Sequence, residues 1–243
     1  MNTFSDSVVM ALHLLISFDP QLWVIVSRSL AVSGTACLIG YGLGVLLGAW
    51  LAVRRFAGRG AVLWVLNTLL ALPSVVVGLV VYLLLSRTGP LGFLGWLFSF
   101  KAMVLAQVIL VLPVVTALTR QVVEDVERQH GEQWASLGAG PWLRSLLLAW
   151  DERMALMTIL VTAFGRAISE VGAVMVVGGN IDGFTRVMTT AIALETSKGD
   201  LPLSLALGMV LLAVVGLFNG VVLLLRWRGQ TRTSADRALV GAL

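Results

Sequence analysis

The chain has 243 residues, of which 58% are hydrophobic and 12% are charged, and its mean hydropathy is +0.94. Ordinary soluble domains are roughly half apolar and about a quarter charged, so this composition excludes that class and indicates an integral membrane protein. The net charge of +4 comes from arginines that lie mostly between apolar segments, and the single cysteine, Cys37, excludes a disulfide framework and a cysteine-based metal site.

The N-terminal segment, residues 1–21, contains an apolar run but no Lys or Arg before Arg28. A cleavable signal peptide begins with a positively charged region, which is missing here, and the run is too short to span a bilayer. We therefore predict that this segment lies at the membrane interface. A single membrane domain, residues 22–228, is expected to follow it and to end in a cytoplasmic tail, residues 229–243.

Five windows of the sequence are long and apolar enough for transmembrane helices, each of which needs about 20 apolar residues. The loops after the first, third and fifth windows contain most of the arginines, and short Arg-rich loops stay in the cytoplasm. The pattern predicts an all-α protein with about five transmembrane helices, its N-terminus outside and its C-terminus in the cytoplasm. The windows are residues 30–53, 61–85, 102–118, 155–177 and 203–225, and the arginines are Arg54, Arg55, Arg59, Arg120, Arg128, Arg144, Arg153, Arg226, Arg228, Arg232 and Arg237.

The first three windows contain glycines and prolines at positions that affect helix packing and helix bending. Gly40, Gly44 and Gly48 recur every four residues, which places them on one helical face. Small residues in such a row let two membrane helices approach closely. Pro73 and Pro113 lie inside the second and third windows, where each removes one backbone hydrogen bond, and we predict that both helices bend there.

The longest predicted cytoplasmic loop, about residues 121–153, has a helical pattern. Its sequence from Glu132 onward predicts a short helix, then a break rich in glycine, then a second helix with an aromatic and apolar face. Such a pair of helices rests either on a partner protein or on the bilayer surface with its tryptophans among the headgroups. The break comprises Gly138, Gly140 and Pro141, and the face comprises Trp142, Leu146 and Trp150.

The stretch EQWASLG, residues 132–138, resembles the EAA loop of ABC-importer permeases, in which Glu-Ala-Ala is followed by three residues and a glycine. Glu132 and Gly138 match that pattern, whereas Gln133 and Trp134 replace the alanines, and the ending LAWD replaces the usual Ile-x-Leu-Pro. Three other stretches are similar to those of tungstate permeases, which are relatives of molybdate and sulfate permeases. They read ALPSVVVGLVVYLLLSRTGPLG, FGRAISEVGAVMVVGGNI and TRVMTTAIALETSKGD.

This resemblance implies the fold of a type I ABC importer permease. In that family two permease chains receive substrate from an external binding protein, and each seats a cytoplasmic coupling helix on an ATPase subunit. The chain contains no G-x-x-x-x-G-K-[ST] loop, so we expect no catalytic residue, metal or cofactor in it and assign ATP and Mg to the partner ATPase. The residues expected in the ATPase-coupling loop are Glu132, Gln133, Trp134, Ala135, Gly138, Gly140 and Leu143.

Arg166 and Glu170 stand inside the fourth window. In a continuous helix they share a polar stripe with Thr162 and Ser169. A charge at the bilayer centre costs roughly 2.5 to 3.5 kcal/mol, so both side chains must face protein or a wet cavity. Either Arg166 contacts a passing dianion in the translocation path while Glu170 holds it, or the two form a buried pair that joins helices. We favour the buried pair, because a tight site in the path would slow release of the anion.

The loop after the fourth window predicts a short helix on the outer face, surrounded by hydroxyl groups and one arginine that could hydrogen-bond an entering oxyanion. A plain external helix that contacts the binding protein is equally consistent. The candidate residues are Thr185, Arg186, Thr189 and Thr190.

The sequence and the resemblance together predict the permease subunit of a bacterial ABC importer in the cytoplasmic membrane, with tungstate as the expected oxyanion. Its expected partners are a second copy of the chain, ABC ATPase subunits, an extracytoplasmic binding protein and the lipid bilayer, with no nucleic acid. The alternatives are a molybdate or sulfate permease, a stand-alone ion-coupled carrier or channel that uses Arg166 and Glu170 as a charge relay, and a scaffold without transport.

Overall fold

The computed structural model describes the backbone of residues 3–17 and 19–240 and the side chains of residues 5, 8–14, 16–17 and 19–224. The described backbone is helical throughout apart from short turns. The helices are α1 Thr3–Ile16, α2 Pro20–Val53, α3 Arg59–Leu70, α4 Ser74–Leu85, α5 Phe100–Ser136, α6 Pro141–Asp151, α7 Arg153–Ile168, α8 Gly172–Gly178, α9 Met188–Lys198 and α10 Leu201–Val240, with a 3₁₀ turn at Gly92–Leu94 between α4 and α5.

By length and composition, the described helices provide three membrane crossings, or five when each bent helix pair is taken as one span. Three are single helices, α2, α5 and the first 24 residues of α10, and two are bent pairs, α3 with α4 and α7 with α8. The prediction of about five transmembrane helices in an all-α protein is therefore confirmed. The side chains of Arg226, Arg228, Arg232 and Arg237, and part of the tail at residues 229–243, lie outside the described residues.

The helices α2, α5 and α10 extend well beyond the windows predicted for them. α2 begins at Pro20, because the Asp19 side chain accepts a hydrogen bond from the Leu22 amide at 3.0 Å and proline suits the first helical position. α5 continues from the membrane to Ser136 without interruption. The separate short helix predicted to begin at Glu132 is therefore wrong, since Glu132 belongs to the last turns of α5.

The α2 and α5 pair forms the centre of the molecule, and the glycine row allows their close contact. A Cβ atom at Gly48 would lie 2.6 Å from the Thr116 carbonyl oxygen, and one at Gly44 would lie 2.7 Å from the Val115 Cβ. A Cβ at Gly40 would lie 3.0 Å from Val111. The predicted small-residue face is thus the face on which α5 packs.

Gly48→Ala should destabilise this helix pair, because the added methyl group must push back the α5 backbone. Overpacking of this kind costs roughly 1 to 3 kcal/mol. We expect the melting temperature of the purified chain in detergent to fall by several degrees. Gly42→Ala on the same helix is the matched control, since a Cβ there meets nothing within 4 Å and alanine favours helix. Equal melting temperatures for the two variants would contradict the packing.

The two bent crossings differ in cause. At Pro73 the axes of α3 and α4 diverge by 103°, because proline disfavours helix in the residue before it and cannot donate a hydrogen bond. The bend predicted at Pro73 is confirmed and amounts to a complete break. α5 keeps its helical hydrogen bonding on both sides of Pro113. The 54° bend between α7 and α8 was not predicted and falls at residues 169–171, where the sequence has no proline.

Candidate coupling and translocation sites

The turn between α5 and α6 is fixed by one glycine. Gly138 has φ +79°, a left-handed conformation that side chains other than glycine adopt with difficulty. Its amide donates to the Ala135 carbonyl at 3.0 Å and the Ala139 amide donates to the Trp134 carbonyl at 3.1 Å, which closes the helix end. Pro141 then opens α6 at its first position. The predicted break at these residues is confirmed.

The helix α6 is amphipathic and presents an unusual surface. Its inner side, which includes Ser145, Leu148 and Ala149, is buried and faces α2 and α5. Its outer side is apolar yet open, and we call this outer side the coupling surface. It comprises Trp142, Leu143, Leu146 and Trp150, which are 55%, 53%, 39% and 70% exposed.

The remaining residues predicted for the coupling loop lie beside this surface. Glu132, Gln133 and Ala135 are exposed on the last turns of α5, and Gly138 and Gly140 are exposed in the turn. Trp134 is half-buried and packs against the apolar core. The end of α5, the turn and α6 therefore form one continuous surface feature.

A cluster of charges ties α3 to α5 near the same end of the molecule. Glu124 pairs with Arg59 at 3.4 Å, with Arg128 at 3.3 Å and with Arg120. Arg59 also donates from Nε to the Leu51 carbonyl at 3.1 Å, so it bridges α2, α3 and α5. Because Arg128 is 68% exposed, its pair contributes only about 0 to 1 kcal/mol. The side chains of Arg59, Arg120 and Glu124 are largely buried, and their contacts fix the α2–α3 turn.

The helix α7 ends at Ile168, and this end separates Arg166 from Glu170. Glu170 lies in the break between α7 and α8, where its Oε1 accepts from the Ala173 amide at 3.1 Å and its carbonyl accepts from the Thr189 hydroxyl at 2.7 Å. No ion pair within 4.0 Å joins Arg166 to Glu170. The prediction of one continuous polar stripe and the prediction of an ion pair between Arg166 and Glu170 are both wrong, because the helix ends before residue 170. Glu170 is a helix-capping residue.

The Arg166 side chain is exposed on the surface of the chain, and among the described residues no hydrogen bond or ion pair involves its guanidinium. Thr162 and Ser169, on the same side, donate their hydroxyls to backbone carbonyls of α7 at 3.0 Å and 2.7 Å. Beside Arg166 is a packing gap, too narrow to hold a water molecule, that we call the Arg166 crevice. It is lined by Gln107, Leu110, Val111, Arg166, Ala167 and Glu170.

Gln107 is the residue in this crevice that the sequence reasoning missed. It is only 3% exposed, and its Nε2 donates to the Ala167 carbonyl at 2.8 Å and to the Ser33 hydroxyl at 3.4 Å. These bonds fix the orientation of the amide, which leaves Oε1 buried without a partner among the described residues. The available signal was a single amide in an apolar stretch, AMVLAQVILVL, since a polar group inside a membrane span is a candidate functional residue.

The outer-face residues are buried rather than open to an entering anion. Thr185, Arg186, Thr189 and Thr190 are at most 8% exposed. The guanidinium of Arg186 contacts Asp182 at 3.2 Å and Glu195 at 3.6 Å. In this structure their polar groups stabilise the loop before α9, and the hydrogen bonds expected to an entering oxyanion stay a prediction. The threonine contacts are Thr185 to the Gly178 carbonyl, Thr189 to the Glu170 carbonyl and Thr190 to the Val187 carbonyl.

Residues 44–228 match the family model of the binding-protein-dependent transport system inner membrane component. The match covers most of the chain, from the glycine row of α2 to the membrane part of α10, and includes both α6 and the Arg166 crevice. The chain belongs to this family.

Curated relatives of this inner membrane component cover nearly its whole length. The tungstate uptake system permease protein TupB of Peptoclostridium acidaminophilum is 41% identical over 222 residues, which are 91% of this chain and 97% of that protein. The TupB protein of Campylobacter jejuni is 37% identical over 88% of this chain and 90% of its own length. The molybdenum transport system permease protein ModB of Escherichia coli K12 is 31% identical over 90% of this chain and 97% of its own length. The chain is thus a multi-pass permease subunit of the inner membrane and of the ABC importer class, which implies ABC ATPase and substrate-binding partners.

Proposed function

We propose that the chain is the transmembrane subunit of an ATP-driven importer of tungstate. The observation that supports the substrate most directly is the 41% identity to a tungstate uptake permease over 91% of the chain, against 31% to a molybdenum permease. Molybdate or sulfate import is the alternative that the more distant relatives support. ATP and Mg are bound by the partner ATPase, and this chain hydrolyses nothing.

The coupling surface and the end of α5 are the docking site for the ATPase. An apolar patch of two tryptophans and two leucines on a protruding helix is unusual unless a partner or the bilayer covers it. Exposed Glu132 and Gln133 supply a polar rim beside it, as is typical of protein interfaces. Gly138 sets the angle between the two parts of the docking site, Ala135 allows close approach, and Gly140 lies at the N-cap of α6 beside them. The N-terminus then lies outside and the C-terminus in the cytoplasm, in agreement with the positive-inside rule.

The exposed side of α7 faces a second copy of the chain across the translocation path. Arg166 has no partner among the described residues of its own chain and would cost several kcal/mol in lipid, so a wet, protein-lined path suits it better. Its guanidinium offers several donors and a fixed positive charge to a dianion. Thr162 and Ser169 are exposed near Arg166 along α7 and at its end, and Glu170 lies in the wall of the crevice. A two-fold dimer places two such sides opposite each other.

The proposed function is tested by reconstitution in lipid vesicles. The chain is combined with the cognate ATPase and the external binding protein, and ATP-dependent uptake of tungstate is measured with molybdate or sulfate as competitors. We expect uptake that requires all three proteins and that resists both competitors. Equal inhibition by molybdate would reject the tungstate assignment. Uptake by the chain alone without ATP would reject the importer and support an autonomous carrier.

A further inference from the structure

An ion pair links α6 directly to α5. Glu127 Oε1 lies 3.0 Å from Arg144 Nη2, and the two side chains are only 18% and 17% exposed. Glu127 stands in α5, nine residues before its end, whereas Arg144 stands in the first turns of α6. The pair therefore spans the turn at Gly138 and joins the two parts of the proposed docking site.

The helix α5 is shaped to hold the Glu127 carboxylate in place. Gly131 lies one turn after Glu127 and is buried, and a Cβ atom there would lie 2.7 Å from the carboxyl carbon and 2.9 Å from each of its oxygens. A glycine inside a helix costs about 1 kcal/mol relative to alanine. This glycine leaves space for the carboxylate to lie flat along α5, directed at Arg144.

Like the Arg59–Glu124 pair, this pair joins two helices, whereas the Arg128–Glu124 pair does not. Arg128 pairs with Glu124 within α5 and is 68% exposed, so it constrains no second element. Glu127 Oε2 and Arg144 Nε are both buried and have no other partner among the described residues. Removal of one member would leave the other partly buried without the ion-pair partner that it contacts, which is costly. α5 and α6 are therefore held together at this point by a pair that resists separation.

We propose that Glu127 and Arg144 are positioning residues that transmit movement of α6 to α5. The inference rests on the proposed function, in which the ATPase docks on the coupling surface. When the ATPase moves α6, the Glu127–Arg144 pair pulls on α5, whose membrane part contains Gln107 in the wall of the Arg166 crevice. Without the pair, α6 can turn about Gly138 while α5 stays in place. ATP hydrolysis then continues with little transport.

The test measures ATP hydrolysis and tungstate uptake in the same vesicles, using the full complex and amounts normalised to assembled protein. Arg144→Met keeps the aliphatic stem of the side chain and removes its charge, and Glu127→Gln neutralises the other member. We expect ATPase rates within about twofold of wild type and at least a fivefold fall in anion transported per ATP hydrolysed. Arg144→Lys should keep at least half of the wild-type ratio. Arg128→Met is the matched control and should leave the ratio unchanged.

The ratio of anion transported to ATP hydrolysed separates a positioning role of the pair from a merely structural one. If Arg144→Met and Glu127→Gln lower the yield of complex while the assembled fraction keeps the wild-type ratio, the pair only stabilises the loop and the inference is wrong. The same conclusion follows if Arg128→Met lowers the ratio as much as Arg144→Met. Absence of ATP-driven uptake by the wild-type complex is a different result, because it would reject the proposed function itself.

Discussion

Gly138→Val is expected to lower the amount of ATPase that co-purifies with the chain by about tenfold. The turn between α5 and α6 requires φ +79° at this residue. A left-handed conformation costs an L-residue roughly 1 to 2 kcal/mol, and more when the side chain is β-branched, and 1.4 kcal/mol corresponds to a factor of ten. The coupling surface would then lie at a different angle to the end of α5. The measurement is the ratio of ATPase to permease after affinity purification through the permease.

Gly140→Ser is the control for this experiment. Gly140 is two residues away, is equally exposed, has φ −63° and has open space around its Cβ position. Serine is a favourable residue at a helix N-cap, so this variant should bind the ATPase as well as wild type does. A Gly138→Val chain that retains the wild-type amount of ATPase would show that the angle of this turn does not govern docking.

Arg166→Ala is expected to reduce tungstate uptake at least tenfold while the complex still assembles and hydrolyses ATP. The guanidinium has no partner within the described part of the chain, so its loss removes no intramolecular bond. What it removes is the positive charge offered to a dianion along the path. Arg166→Lys keeps the charge without the fork of donors and should retain part of the activity. Normal uptake by Arg166→Ala would exclude a role in the path.

Glu170→Gln separates helix capping from charge pairing at the same site. An amide oxygen can still accept the hydrogen bond from the Ala173 amide, so we expect this variant to transport nearly as well as wild type. Glu170→Ala removes the acceptor and should destabilise the start of α8 by about 0.5 to 2 kcal/mol, as for other capping groups. If Glu170→Gln instead fails as severely as Arg166→Ala, the carboxylate charge is required and the capping role is insufficient.

Hydropathy predicted the number of crossings because each needs a long apolar stretch, whatever its detailed path. The break at residues 169–171 was not predictable in the same way. No proline or glycine pair marks it, and it depends on Thr189, nineteen residues later, which donates to the Glu170 carbonyl. A contact between distant parts of the chain overrode the local helical pattern. The prediction that Arg166 and Glu170 share one polar stripe assumed a continuous helix, and it failed because the helix breaks between them.

The outer threonines illustrate a second limit of reasoning from residue types. A hydroxyl that binds a ligand and a hydroxyl that closes a loop have the same sequence signature. The two kinds of hydroxyl differ only in their hydrogen-bond partners. The hydroxyls of Thr185 and Thr190 form hydrogen bonds with nearby backbone groups. The turn at Gly138 was predictable because its chemistry is local. The ion pair between Glu127 and Arg144 was missed because it depends on the angle between two helices.

The length of α5 has a mechanical consequence. Its 37 residues make a rod of about 55 Å, whereas the hydrocarbon core of a bilayer is about 30 Å thick. Gln107 and Glu132 lie on this one rod, separated by about 37 Å, with Pro113 as the one residue between them that cannot donate a backbone hydrogen bond. Such a rod acts as a lever. If the rod pivots near its middle, its two ends move in opposite directions, so the pull proposed for the end near α6 would move the other end of α5 the opposite way.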